Sequence, residues 1–124
     1  MRKIPTLFVR DWKGDPKHVT QQIDPEAAWV FTDENARATR KYDGTCVMFD
    51  GERWWARREI KPGRTEPPGF LLIEEDGETG KRVGWEPIER SGYAKWHAAA
   101  AGGEEFEPGT YELCGPKVNR LAPP

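Results

Sequence analysis

A hairpin signal in the middle of the chain constrains the fold more than any other feature of the sequence. Two β-rich runs, residues 44–49 and 52–58, are separated by Asp50-Gly51. Asp-Gly strongly favours a two-residue turn, because both central residues of such a turn need positive φ. The register predicted by this turn pairs Phe49 with Glu52, Val47 with Trp54, Thr45 with Ala56, Gly44 with Arg57 and Asp43 with Arg58.

Both faces of this hairpin carry bulky apolar side chains, because successive residues of a strand point to opposite sides. One face carries Val47, Phe49 and Trp54, and the other carries Cys46, Met48 and Trp55. We therefore expect the two strands to be covered on both sides. Trp54, Trp55 and Trp85 are predicted to be core residues, since large aromatic side chains are mostly buried. The alternative is that tryptophans of this chain stack on nucleic-acid bases.

The other segments complete a prediction of an α+β fold, a curved antiparallel sheet with one or two helices packed outside, in one modest domain. Residues 24–31 either open a short helix, with Asp24 as its cap and Pro25 at its first position, or form a strand. Further strands are predicted at residues 4–9, 70–73 and 109–114, loops at 15–25 and 61–69, a turn at 76–80, and a helix at 93–101 that ends at Gly102-Gly103.

Composition excludes several classes of protein. With 32% charged residues and a mean hydropathy of −0.84, no apolar run has the length of a membrane span. The first ten residues are too short and too mixed for a secretory signal, so an intracellular, cytoplasmic protein is expected. Cys46 and Cys114 cannot form a disulfide framework, and they lie far in sequence from His18 and His97, which makes a zinc site a poor prediction.

Charge alone leaves nucleic-acid binding open. The net charge of −2 and the pI of about 5.8 lack the overall basic character of a non-specific nucleic-acid binder. The basic residues nevertheless cluster, either as ordinary solvated faces or as a phosphate-binding surface. The clusters consist of Arg37, Arg40 and Lys41, and then of Arg53, Arg57, Arg58, Lys61 and Arg64.

The chemistry-bearing motif is Lys41-Tyr42-Asp43-Gly44, which fits Lys-x-Asp-Gly. A chance match in a chain of this length is on the order of a few per cent. Lys41 is either a solvated charge before a strand or a nucleophile, whose amine must be neutral to attack phosphorus. Nearby cations favour the neutral amine, and the predicted register supplies them from Arg57 and Arg58. For Arg58, an ion pair with Asp43 is an equal alternative to a ligand contact.

With this motif and the pieces around it, the chain resembles the ATP-dependent 5′-to-3′ RNA ligases related to the human RNA ligase, within the covalent nucleotidyltransferase superfamily of ligases and capping enzymes. The resemblance runs over nearly the whole chain and is weakest at residues 11–36 and 90–108. The matching pieces are, in order, Lys3-Ile4-Pro5, Leu7-Phe8-Val9, Lys41-x-Asp43-Gly44-Thr45-Cys46, Trp55-Ala56-Arg57, Lys61-Pro62, Gly84-Trp85-x-Pro87-x-Glu89, and Tyr111-Glu112-Leu113 through Gly115 with Asn119.

The resemblance implies a partial nucleotidyltransferase fold and assigns roles to individual residues. Lys41 would become adenylylated, Arg57 and Glu112 would hold the nucleotide, and Glu112 would contact the ribose. The implied substrates are ATP, with Mg²⁺ or Mn²⁺ carried by the nucleotide, and RNA with 5′-phosphate and 3′-hydroxyl ends, with no role for a membrane. Further nucleotide contacts would come from Arg40, Asp43, Gly44 and Thr45, and phosphate or RNA contacts from Arg58, Lys61 and Lys117, with solvent exposure as the alternative for Lys117 and Arg120.

The chain departs from the family in its later motifs. Family members continue into a Glu-Gly strand that contacts phosphate and metal, and then into a Lys-x-Lys strand that binds the α-phosphate. Neither is present, so residues 1–124 are expected to be the N-terminal portion of an adenylation domain and to form little or no adduct alone. Two other functions stay open: a GTP-dependent capping guanylyltransferase, and a non-catalytic nucleotide- or RNA-binding module.

Overall fold

The strands that the structure describes form two separate antiparallel sheets, one in each of two structural units. A computed structural model describes residues 4–118, and its contacts divide the chain into the units Met1–Arg40 and Lys41–Pro124. A two-stranded sheet belongs to the first unit and a five-stranded sheet to the second. The predicted α+β class and the antiparallel strand pairing are confirmed.

The first unit consists of a short hairpin followed by one turn of 3₁₀ helix. Strand β1, Phe8–Arg10, pairs with β2, Val19–Ile23, and the 3₁₀ helix spans Ala28–Phe31. Of the two predictions for residues 24–31, the short helix is therefore closer to the structure than the strand. Asp24, however, does not cap this helix, because its Oδ1 accepts the Glu26 N–H, 2.9 Å away, in the turn ahead of it.

The loop prediction for residues 15–25 is wrong, because β2 lies within it. Its sequence, Val-Thr-Gln-Gln-Ile, carries polar side chains at three positions, and all five residues are exposed. The alternation of buried and solvated residues that identifies a strand in sequence is therefore missing. Backbone pairing with β1 makes this segment a strand.

The second unit is built on a five-stranded antiparallel sheet in the order β5-β6-β4-β3-β7. A single turn of 3₁₀ helix, Ile88–Arg90, follows β6, and the helix α1 covers Ala94–Ala101. The strands are β3, Thr45–Phe49; β4, Trp54–Ile60; β5, Leu71–Glu75; β6, Arg82–Pro87; and β7, Gly109–Leu113. The predicted strands at 70–73 and 109–114 and the predicted helix at 93–101 are confirmed with shifts of one or two residues at their ends.

The hairpin of β3 and β4 exists, but the predicted register is wrong by two residues. Phe49 pairs with Trp54 and Val47 pairs with Ala56, so the loop contains residues 50–53 instead of two residues. The cause is the Asp50 side chain, whose Oδ1 accepts the backbone N–H groups of the third and fourth loop residues, at 2.8 and 2.7 Å. A side chain that satisfies the loop backbone favours the longer turn.

The two faces of the hairpin are as predicted, because a shift of two residues keeps every side chain on its face. The side of the sheet that carries Val47, Ala56 and Leu113, here called the core face, holds the hydrophobic core with Ile88. Helix α1 packs on this face through His97, whose ring meets Trp54 edge-on with centroids 4.5 Å apart.

The tryptophan predictions hold in two of three cases without qualification. Trp55 and Trp85 are buried, and Trp54 is half-buried and packs against the core. Trp54 also stacks on Phe49 at a centroid distance of 5.0 Å, within an aromatic group on the core face. None of the helices within residues 4–118 combines the length and the apolar character needed to cross a bilayer.

Candidate functional site

The strand directions bring the Lys41 motif and two later segments to one end of the second unit's sheet. Because β3 is antiparallel to both β4 and β7, the start of β3 lies at the same end as the ends of β4 and β7. Residues 41–44 precede β3, residues 61–65 follow β4, and Lys117 follows β7. The topology of the sheet thus brings residues that lie more than seventy positions apart in sequence to the same end of the sheet.

The side of the sheet opposite the core face, here called the Arg57 face, gathers the residues proposed to hold a nucleotide. Cys46 of β3 pairs with Glu112 of β7, and Arg57 of β4 pairs with Trp85 of β6, so these side chains share the face. The predicted pairing of Gly44 with Arg57 is wrong, but Arg57 lies on the predicted side. Arg57 and Glu112 therefore flank the central strand β3 from its two neighbours.

The pKa of Cys46 is consistent with Arg57 and Glu112 both lying near β3 on this face. Burial, and then the Glu112 carboxylate, raise the pKa of the Cys46 thiol above its ordinary value, whereas the Arg57 guanidinium acts in the opposite direction. The thiol thus lies within the fields of both side chains. A raised pKa keeps Cys46 protonated, as expected for a packing residue and unlike an activated thiolate. Cys46 and Cys114 are both free and half-buried.

Glu112 is attached directly to the Lys-x-Asp-Gly motif. Its Oε1 accepts the Gly44 N–H at 3.0 Å, a contact between residues 68 positions apart. Because the side chain is exposed and its second carboxylate oxygen has no hydrogen-bond partner within the described residues, one oxygen remains for a ligand hydroxyl. The bond to Gly44 is also a structural role, since it holds the entry of β3 against β7.

Gly44 itself has a packing explanation that needs no ligand. A Cβ atom at this position would collide with the Leu113 carbonyl oxygen and would crowd the Cys114 Sγ atom, 3.1 Å away. The backbones of β3 and β7 thus approach too closely for any side chain. The glycine of the motif is required by the sheet, whether or not a nucleotide approaches it.

Lys41 lies outside regular structure, three residues before Gly44. Its side chain is 83% exposed, and its Nζ lies 4.0 Å from the Asp43 Oδ1, at the outer limit of an ion pair. Arg57 and Arg58 do not pair with Gly44 and Asp43 as the predicted register implied. Arg58 donates to Glu86 on β6 at 3.1 Å, so the alternative ion pair with Asp43 is wrong.

Arg57 and Arg58 are adjacent in sequence, but the structure separates their roles. Arg58 points to the core face, where it pairs with the buried Glu86 carboxylate, whose side chain is 5% exposed. Arg57 lies on the opposite face and forms no ion pair with a described carboxylate. Arg57 is therefore the arginine whose guanidinium can bind an anion without losing an internal partner.

The remaining predicted contacts divide into three groups. Thr45 pairs with Leu113 on the core face, away from Arg57 and Glu112. Lys61 and Lys117 are exposed at the shared end of the sheet, Lys61 after β4 and Lys117 in the turn after β7. Arg40 is the last residue of the first unit and is exposed there. Lys3, Asn119 and Arg120 lie outside the described residues.

The structure adds one residue to the candidate site that the sequence motifs do not select. Arg64 lines an open groove with residues 58–61, 63 and 65, and the groove has a volume of about 620 Å³. The available signal was the cluster of basic residues around a Pro-Gly turn directly after a strand. Sequence could not show that the turn folds back so that Lys61 and Arg64 face one groove.

Comparisons with known proteins add no family to these observations. The sequence matches no protein-family model, and a search of curated proteins finds no match for it.

Proposed function

We propose that this chain is an RNA ligase-like nucleotidyltransferase that uses ATP to adenylylate Lys41 and joins an RNA 5′-phosphate to a 3′-hydroxyl, on part of a nucleotidyltransferase domain. The observation that carries the proposal is the convergence of three distant segments: Glu112 is bonded to Gly44 of the lysine motif, and Arg57 shares its face of the sheet. The resemblance in sequence assigns roles to these same residues.

In the first step, the Lys41 nitrogen would attack the α-phosphorus of ATP. An N–P bond forms, the P–O bond to pyrophosphate breaks, pyrophosphate leaves, and the amine proton passes to solvent. Arg57 suits the stabilisation of phosphoryl charge, which is the main task in such transfers. The unbonded oxygen of Glu112 suits a ribose hydroxyl, because a carboxylate accepts it in a charge-assisted hydrogen bond.

In the two later steps, AMP would move to RNA and then leave. An oxygen of the RNA 5′-phosphate attacks the phosphorus of the Lys41 adduct, which frees the lysine and forms a phosphoanhydride. A 3′-hydroxyl then attacks the 5′-phosphorus, the phosphodiester forms, and AMP departs. Mg²⁺ or Mn²⁺, carried by the phosphates of ATP, would neutralise their charge. Within residues 4–118, no group of three His, Cys, Asp or Glu side chains could hold a metal ion.

The proposal is tested by covalent labelling of the full-length gene product that contains residues 1–124. After incubation with ATP and Mg²⁺, intact-mass spectrometry should show the addition of one AMP, and peptide mapping should place it on Lys41. Lys41→Ala should abolish the adduct, and so should Lys41→Arg, because a guanidinium keeps its proton near neutral pH. Lys95→Ala, an exposed lysine on α1, is the matched control and should label normally.

Each alternative function has its own outcome in the same experiment. A GMP adduct formed from GTP in preference to ATP would replace the ligase proposal with a capping-type guanylyltransferase. Nucleotide binding without any adduct would favour a non-catalytic binding module, an alternative that the exposure of Lys41 also favours. An adduct on another lysine would end the assignment of Lys41.

A further inference from the structure

The groove after β4, here called the β4-end groove, is formed by residues 58–61 and 63–65. Strand β4 ends at Ile60, and the chain then turns back at Gly63, where φ is +78°. The Arg64 N–H donates to the Lys61 carbonyl at 3.1 Å and closes this turn. Lys61 and Arg64 therefore flank a tight turn, and both line the groove.

The charges of the groove are only partly balanced. Arg58 is bound to Glu86 at 3.1 Å, and Glu59 is bound to Lys81 at 2.8 Å. Lys61 and Arg64 have no carboxylate partner among the residues that the structure describes. Two uncompensated positive charges thus face an open groove, although the chain as a whole carries a net charge of −2.

The loop that carries Lys61 and Arg64 is held in place by hydrogen bonds from the Arg82 side chain. The Arg82 guanidinium donates to the Arg64 carbonyl oxygen and also binds the Glu66 Oε1 at 2.9 Å. Arg82 is itself mostly buried, with 20% of its side chain exposed. Because the backbone of the loop is held, a ligand at Lys61 and Arg64 costs less ordering entropy than it would on a free loop.

The position of the groove indicates what it binds. It lies at the end of the sheet where Lys41 enters β3. Lys61 is four residues beyond Arg57, about 13 Å along an extended chain. A ligand that reaches both is therefore longer than a single phosphate. An open groove with separated cations suits a strand of repeating phosphates, since such grooves follow a nucleic-acid backbone.

We propose that the β4-end groove binds the phosphodiester backbone of the single-stranded RNA end that reacts at Lys41, through Lys61 and Arg64. This inference rests on the proposed function for the identity of the nucleic acid. It adds a binding surface beyond the nucleotide contacts, and it makes Arg64 a substrate-binding residue. Neither residue touches the reacting atoms.

The test measures the affinity of the 124-residue chain for a short, 5′-phosphorylated oligoribonucleotide by fluorescence anisotropy at several salt concentrations. Each phosphate contact with a single strand contributes about 0.7 to the slope of log K against log salt, or roughly fivefold in affinity near 0.1 M salt. Lys61→Ala combined with Arg64→Ala should therefore lower the slope by about 1.4 and the affinity by about 25-fold. Thermal melts of each variant verify that it is folded.

The control variant is Arg90→Ala. Arg90 ends the 3₁₀ helix that follows β6, at the opposite end of the same sheet, and its removal changes the net charge by one in the same direction. It should leave both slope and affinity unchanged. An equal loss per charge in Arg90→Ala would replace the groove with diffuse electrostatic attraction, and unchanged binding in the double variant would overturn the proposal.

Two further measurements distinguish failure of the groove proposal from failure of the proposed ligase function. Inorganic phosphate should compete far less well than the oligonucleotide. Equal competition at the same phosphate concentration would mean a simple anion site and would overturn the backbone proposal. The Lys41 adduct is measured on the unmodified full-length product. Loss of RNA affinity in the groove variants without an adduct would refute the ligase function alone, whereas an adduct with unaffected RNA binding would refute the groove alone.

Discussion

Each of the two units of this chain is stabilised internally by a different kind of interaction. In the first unit, Ala27 is the one buried residue among those described, and the loops are fixed by aspartates that accept nearby backbone N–H groups. These aspartates are Asp11, Asp15, Asp24 and Asp33. In the second unit, a sheet of five paired strands packs one face on a core of Val47, Ala56, Ile88 and Leu113. The first unit is stabilised mainly by local hydrogen bonds, and the second mainly by buried apolar surface.

This difference decides where precise chemistry can be positioned. Local side-chain hydrogen bonds at exposed positions contribute little net stability, because water replaces them at small cost. A sheet that packs on a core holds its side chains in fixed register, and regions with few buried contacts open more readily. Of the predicted site residues, only Arg40 belongs to the first unit. The others lie in the unit whose geometry is fixed by packing.

Truncation of one aliphatic residue in each sheet should give the largest difference in stability between the two units. Leu113, 6% exposed, should cost about 2–5 kcal/mol of unfolding free energy when changed to Ala, because a cavity opens beside Val47 and Ala56. Ile23→Ala in β2, where Ile23 is 40% exposed, should cost within about 0.5 kcal/mol. Urea titration of both variants, followed by circular dichroism, measures the difference.

A large loss in Ile23→Ala would mean that the strands of the first unit share a cooperative core, and it would remove the contrast between the two units. Native-state hydrogen exchange supplies the matching local readout. Amides of β3 and β4 should be the slowest to exchange, and amides of β1 and β2 should exchange faster.

Removal of one arginine from each unit should give a second, smaller difference in unfolding free energy. Arg58→Ala leaves the Glu86 carboxylate, 5% exposed, without its partner, which should cost about 1–3 kcal/mol after allowance for the half-exposed arginine. Arg10→Ala in the first unit removes a hydrogen bond from Nη1 to the Pro16 carbonyl, 3.1 Å away and exposed, and should change stability by about 0.5 kcal/mol or less. Thermal and urea unfolding of both variants would show the ranking.

The charge-neutral variant Arg58→Gln with Glu86→Gln tests the cause. If the buried charge is responsible, the double variant should recover much of the loss seen in Arg58→Ala, because no buried charge then remains unpaired. An additive loss would assign the effect to packing of the arginine stem instead.

The parts of the fold that could be predicted from the sequence are those that depend on local strand geometry. The faces of β3 and β4 were predictable, because alternation of side chains is a property of the strand itself and survives a two-residue slip. The register was not, because it depended on the Asp50 carboxylate binding loop N–H groups at 2.7 and 2.8 Å. Asp-Gly favours a two-residue loop, and the hydrogen bonds that favour four residues here become visible only once the Asp50 carboxylate is placed.

The site was predictable only in part for a related reason. The resemblance selected Arg57 and Glu112, but the bond from Gly44 to Glu112 depends on the pairing of β3 with β7, a contact across most of the second unit. Nothing in the sequence predicts the burial of Glu86, since a glutamate between Trp85 and Pro87 is expected to be solvated. Its burial becomes understandable only with Arg58 beside it. The sequence does not predict β2, because its exposed polar residues have no apolar period.

The smallest expected effect concerns the two histidines, one in each unit. His97 is buried on α1 against Trp54, and its Nε2 has no hydrogen-bond partner among the described residues. Burial lowers the pKa of His97 below its ordinary value. His18 lies in the first unit with its side chain 75% exposed, 3.0 Å from the Asp15 carboxylate.

The lowered pKa of His97 makes stability depend on pH in a definite direction. When pH falls below the unfolded-state value of about 6.5, the unfolded chain takes up a proton that folded His97 still refuses, so the unfolding free energy decreases. The loss continues until pH passes the lower pKa of the folded state and then stops. His97→Phe, which keeps an aromatic ring against Trp54, should remove this part of the pH dependence, whereas His18→Ala should leave it intact. Urea unfolding between about pH 7.5 and 5.5 measures both variants, in a range above most carboxylate titrations. A slope that persists in His97→Phe would show that burial of His97 is not its source. A slope that disappears in His18→Ala would assign the acid sensitivity to the first unit and reverse the contrast between a packed core and a solvated hairpin.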